Sequence, residues 1–152
     1  AEALKHSPYN RDNQLYKAII YQIMGKKDKA INIYRHLISR SKKSTLFQEL
    51  AALIDDERYK IALLCKAITL QRDEKFRQRM RFTLAELLFR QDKARARYEL
   101  DKCLEARRQA GFTITWAMQN LAASLSEVNP VSDADQKAYY REQDRIVKEL
   151  ML

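Results

Sequence analysis

Glycine sets the first limit on this chain: 152 residues contain two, Gly25 and Gly111, standing 86 positions apart, and the prolines also number two. Average usage would supply about 11 glycines and about 8 prolines. The many tight turns of β-sandwiches and barrels draw repeatedly on Gly, Asn and Pro, so those folds are excluded. The same scarcity excludes Gly-rich phosphate-cradling loops, which need at least two nearby glycines so that backbone amides can approach a phosphate. What remains is 46% hydrophobic and 32% charged. Rich in Ala, Leu, Lys, Arg, Gln and Glu, it has the composition of an all-helical protein.

Apolar residues recur at spacings of three and four, and Asp, Ser or Thr mark the starts of eight predicted helices. The first runs from about Asn13 to Met24, with Leu15, Tyr16, Ile19, Ile20 and Ile23 on one face, Asp12 as cap and Gly25 as left-handed stop. The second spans about Asp28 to Ser39, and the third opens at Ser44 and ends near Asp55. Asp55 or Asp56 caps a fourth with Tyr59, Leu63, Leu64, Ala67, Ile68 and Leu70. Asp73 caps the fifth, whose stripe is Phe76, Met80, Leu84, Leu87 and Leu88. Asp92 starts the sixth, with Ala96, Leu100, Cys103 and Leu104, and Gly111 stops it. Thr113 begins the seventh; after the loop from Val128 to Asp133 the eighth carries Ala138, Tyr139, Ile146, Val147 and Leu150, with Ser132 and Asp135 as a capping box. Helices one, three, five and seven start 31, 30 and 39 residues apart. Hairpins recurring at that period predict an α-solenoid rather than a four-helix bundle, because each hairpin buries its second face only against a neighbour.

Charge is distributed unevenly. Lys and Arg total 29 against 20 Asp and Glu, a net of +9. Residues 25–54 carry seven cations and two anions, and residues 76–110 carry ten and five. Such clustering suits nucleic acid, anionic lipid or acidic proteins, and it also serves solubility alone. Cys65 and Cys103 fall among apolar neighbours, where thiols act as small hydrophobes. His6 and His36 form no metal-ligand spacing, so no metal or cofactor is expected. With two histidines on helices, a catalytic constellation is not expected either. No apolar run approaches the roughly 18 residues of a membrane span, which predicts a soluble, cytoplasmic chain without a membrane partner. The chain begins Ala-Glu-Ala rather than Met, so it is expected to be a processed or excised piece.

One family pattern is visible in these helices. With Pro8 taken as a closing proline, Ala3 and Leu4 end a preceding helix, and the same register gives Ala18, Tyr21, Gly25, Ala30 and Tyr34 at the small, aromatic and glycine positions of a 34-residue helix-turn-helix unit. This resembles the tetratricopeptide repeat (TPR). Farther along the likeness weakens: Leu64, Ala67 and Ile68 fit, but Lys60 stands where Ala is expected. Leu84, Leu87, Ala96, Leu100 and Cys103 fit without the glycine, and the fourth hairpin keeps no signature. The resemblance implies a right-handed, TPR-like solenoid of antiparallel hairpins. Residues 1–128 would form three degenerate repeats plus the seventh helix, and residues 129–152 a loop and a helix capping the stack.

The resemblance also implies a non-catalytic scaffold that holds a protein or peptide segment, an acidic one included, in a groove lined by the first helix of each hairpin. The groove positions are then Leu15, Tyr16, Ile19 and Ile23; Lys42, Thr45, Leu46 and Glu49; and Gln78, Arg81, Phe82 and Ala85. Leu15 and Ile19 occupy places where the family's carboxylate clamp needs polar residues, so capture of a C-terminal carboxylate is not implied. Arg77 and Arg81 lie one turn apart and either fork onto a partner's acids or answer Asp73, Glu74 or a neighbouring helix. Trp116 lies off the Ile114, Ala117, Leu121 and Leu125 stripe and either packs beneath the eighth helix or anchors an interface. The alternative to a protein-binding groove is a basic helical-repeat surface for the nucleic-acid backbone, for which Phe89 and Tyr98 are the aromatic candidates. Oligomeric state is left open.

Overall fold

A computed structural model of the chain describes residues 11–151. Among these residues all regular structure is helical: α1 (Arg11–Ile23), α2 (Lys27–Arg40), α3 (Ser44–Leu53), α4 (Glu57–Leu70), α5 (Glu74–Leu88), α6 (Lys93–Ala110), α7 (Trp116–Ser124) and α8 (Asp133–Met151). Ala3, Leu4, His6 and Pro8 lie outside the described residues.

Local chemistry sets most boundaries as expected. Asp56 accepts from the Arg58 and Tyr59 amides, Asp73 from Lys75 and Asp92 from Arg95, each satisfying a donor that the first turn leaves unpaired. Gly25 and Gly111 both have φ +74°, the left-handed stop that a side chain disfavours. Ser132 Oγ accepts from the Asp135 amide at 3.1 Å. Two starts differ from the sequence reading. Asp12 falls inside α1 rather than capping it. The last hairpin's first helix begins at Trp116, capped by Thr115, because the Thr113 carbonyl is engaged by Arg107 at 2.8 Å.

From α1 to α6 each helix packs on its predecessor in the chain. The connections are three or four residues long, which makes neighbours antiparallel. The core runs through these helices, with Tyr34, Phe47, Leu50, Leu63, Ile68, Leu84, Leu88 and Leu100 all under 2% exposed. Ala18, Ala30 and Tyr34, three of the repeat-like positions, are buried, and Tyr34 Oη donates to Gln22 at 3.0 Å.

The C-terminal region departs from the expected cap. α7 touches α6 only lightly, and α8 turns back to pack along α4 in the middle of the stack. Arg58 meets Glu149, Lys66 meets Asp144, and Thr69 shares a cleft with Lys137, so α8 runs antiparallel to α4. Its ends reach the flanking second helices: Arg35 of α2 donates to the Leu150 carbonyl at 2.8 Å, and Tyr98 of α6 to Asp133 at 2.6 Å. The physical reason lies in α4, where Ile61 to Cys65 are five consecutive buried residues. A helix apolar on more than one side needs more than two neighbours. The buried face of α8 is accordingly Gln136 and Val147, with Tyr140 and Leu150 half-buried, whereas Ala138 is exposed.

Candidate interaction surfaces

With α8 laid over α4 and tied to α2 and α6, the side formed by the second helices is occupied. Among the described residues no helix covers the side formed by α1, α3 and α5. Its α1 portion presents Tyr16, Ile19, Ile20 and Ile23 at 71%, 44%, 43% and 81% exposure, while Leu15 is half-buried against the core. On α3, Thr45 and Glu49 are exposed, as is Lys42 in the turn before it. Between α3 and α5 a shallow depression of about 160 Å³ is lined by Gln48, Ala52, Thr83 and Leu87, with Lys60 and Leu64 of α4 behind them. Lys60, the residue standing where the repeat wants Ala, donates to the Ala51 carbonyl at 2.9 Å and so bridges α4 to α3.

The α5 part of the expected groove is corrected by the structure. Gln78, Arg81 and Ala85 are buried, as is Leu46 on α3. Gln78 accepts from Arg107 of α6 at 2.8 Å. Arg77 is held by Glu74 at 2.7 Å and by the Gln71 carbonyl. Arg81 is 3% exposed and bonds Glu74 at 3.0 and 3.1 Å and Glu99 at 2.8 Å. Of the two readings of this arginine pair, the internal one therefore holds: both guanidinium forks face inward.

Arg81 opens a buried polar cluster that joins α5, α6 and α8. Glu99, fully buried, accepts from Arg81, from Gln136 Nε2 at 2.7 Å and from the Tyr140 hydroxyl. Gln136 Oε1 in turn accepts from Arg95 at 3.0 Å, and Arg95 stacks 4.4 Å from the Tyr139 ring. Among the described residues no buried side-chain polar atom is left without a partner. Burial alone would lower the Arg81 pKa, but Glu99, Tyr140 and Glu74 outweigh it and hold the guanidinium above its ordinary value. Burial and then Glu99 push the Tyr140 phenol up. Glu74 is held below the usual carboxylate range, since Arg81 and Arg77 overcome its partial burial. Breaking a charged pair that is buried and bonded in this way is costly, because the remaining charge is left uncompensated.

Glu99 had a legible signal that the apolar stripe concealed: it sits one turn from Ala96 and Cys103, on the buried side of α6. Phe76 is the opposite case. It is 59% exposed rather than part of the core, while Gln78 and Arg81 take the buried side of α5. Phe112 and Trp116 are also exposed, at 40% and 76%, so Trp116 does not pack beneath α8. Lys75 lies 6.0 Å from the Phe76 ring and 5.7 Å from that of Phe112. The thiols of Cys65 and Cys103 are free and buried. Among the described residues no three His, Cys, Asp or Glu side chains gather to hold a metal, and no helix is long and apolar enough to cross a membrane.

No curated protein and no solved structure matches the chain. One family model does, described as a domain of unknown function (DUF7017), over residues 13–145. That span takes in the three hairpins, α7 and most of the returning helix, the same unit that the buried Arg81–Glu99–Tyr140 cluster holds together. The chain belongs to the DUF7017 family.

Proposed function

We propose that the chain is a non-catalytic, TPR-like scaffold that holds a protein segment against the side formed by α1, α3 and α5. One observation carries the reading: α8 fills the opposite side, and the open side bears a run of exposed apolar residues at helical spacing on α1. Tyr16, Ile19, Ile20 and Ile23 offer apolar burial to one part of a segment, worth about 25 cal/mol per Å² removed from water. Lys42 and Glu49 offer charged contacts farther along. Arg77, Gln78 and Arg81 support the groove wall from within. The free thiols of Cys65 and Cys103 suit a reducing, cytoplasmic setting.

The test is selection of binders from a random peptide library against the folded chain, with the bound peptide located by backbone chemical-shift changes. Perturbations are expected on α1 and α3. Ile19→Asp and Glu49→Lys should each weaken binding at least about tenfold, close to 1.4 kcal/mol. Peptides that map to α8 and are indifferent to both substitutions would overturn the reading.

A further inference from the structure

Antiparallel neighbours place alternate turns on the same edge of the stack. The turns between hairpins, at residues 41–43, 71–73 and 111–115, share one edge; the turns within hairpins, at 24–26, 54–56 and 89–92, share the other. Taken with the adjoining helix ends, the first edge has Arg40, Lys42, Lys43, Arg72, Lys75, Arg107 and Arg108 against Asp73 and Glu74. The second has Lys26, Lys27, Lys29, Arg58, Arg90 and Lys93 against Asp28, Asp55, Asp56, Glu57 and Asp92. The second edge is nearly balanced, whereas the first is strongly positive.

The acids of the first edge are already committed. Asp73 caps α5, and Glu74 is neutralised by Arg77 and Arg81. The cations are not: Arg40, Lys42, Lys43, Arg72 and Arg108 are exposed and have no side-chain partner among the described residues. Holding such a row of like charges is unfavourable unless an anion neutralises it. Exposed aromatic rings stand on the same edge. Phe76 lies in the first turn of α5, Phe112 follows Gly111, and Trp116 opens α7. The turn carrying Phe112 is fastened, since Arg107 grips the Thr113 carbonyl and lies 5.6 Å from the Phe112 ring.

We propose that this inter-hairpin edge binds single-stranded nucleic acid, with Arg40, Lys42, Lys43 and Arg72 on phosphates and Phe76 and Phe112 stacking on bases. Cations alone would suit any polyanion. Exposed rings beside them select an unpaired strand, whose bases have free faces, over a duplex or an acidic peptide. The edge shares Lys42 with the side proposed to take a protein segment, but Arg40, Lys43, Arg72, Phe76 and Phe112 are not part of that side, so variants at these positions test the edge independently.

The probe is a fluorescein-labelled single strand of uridines about 15 nucleotides long, followed by anisotropy between about 50 and 200 mM salt. Four phosphate contacts predict a slope of log affinity against log salt near about −3. Lys43→Glu with Arg72→Glu should weaken binding at least about tenfold, and Lys26→Glu with Arg90→Glu, an equal change in net charge on the other edge, less than about twofold. Phe76→Ala with Phe112→Ala should cost about fivefold or more. Trp116, the chain's single tryptophan, should be quenched on titration with the unlabelled strand. Circular dichroism of each variant confirms that it is folded. No binding at the low salt, equal losses from the two charge variants, or displacement of the strand by polyglutamate or by duplex as readily as by itself would each overturn the proposal.

Discussion

Glu99 shows what a single side chain does here. Fully buried, it is met by Arg81 of α5 and by Gln136 and Tyr140 of α8, three donors from two other helices. Removing one partner of a buried pair leaves the other charge uncompensated, so Glu99→Ala should cost about 3–5 kcal/mol in urea denaturation. Glu99→Leu combined with Arg81→Met should recover only part of that loss, since neither charge then remains but the Gln136 amide and the Tyr140 hydroxyl lose their acceptor. Leu84→Ala, at a fully buried site, is expected to cost about 2–5 kcal/mol. Stability should also fall at both ends of the pH scale. Glu74 and Asp144 are partly buried, yet their arginine and lysine partners hold both carboxyls low. Their contribution is therefore present above the unfolded carboxylate pKa, about 4, and lost as pH falls through the lower folded values. Burial raises the Cys103 thiol to about 11. Its contribution is complete below the unfolded thiol pKa, about 8.5, and is lost as pH rises through the folded value. Urea midpoints across that range check both signs, and Ellman's reagent should label neither cysteine until the chain unfolds.

At the scale of the element, the helices were legible because short-range chemistry writes them: Asp56, Asp73 and Asp92 cap as read, and Gly25 and Gly111 stop as read. What the spacing could not place was α8, whose neighbour α4 lies 78 residues back in the chain at Lys66–Asp144 and 91 at Arg58–Glu149. The trace of that neighbour was in α4, where an unbroken Ile61–Cys65 apolar run exceeds one stripe. The candidate groove was half legible for the same reason. Ile19, Lys42 and Glu49 answer to their own helices and turn, whereas Gln78 and Arg81 are set by Arg107 and Glu99 on α6. Tyr140→Phe removes one donor to Glu99 and should cost about 1.5–3 kcal/mol, the range for a bond to a charged group. Native-state hydrogen exchange should find the amides of α8 as slow as those of α4. Those of α7, which buries only Met118 along its length, should exchange much faster.

For the whole molecule, an open stack of repeats melts as a sum of neighbour contacts and frays from its ends. Here α8 fastens to α2, α4 and α6 at once. Urea unfolding followed by circular dichroism should therefore coincide with loss of amide protection in α2, α4 and α6, as one transition; separate midpoints would mean that the tie is weak. The same tie limits how such a molecule can grow. α8 has 19 residues, a rod about 28 Å long at 1.5 Å per residue, and it reaches from Tyr98 to Arg35 with both ends engaged. Copying a hairpin into the array between α4 and α5 would carry Glu99 out of reach of Gln136 and Tyr140. Lineages of this domain should therefore vary in loops and in sequence but keep three hairpins, because a hairpin duplicated within the unit separates the partners of the buried cluster.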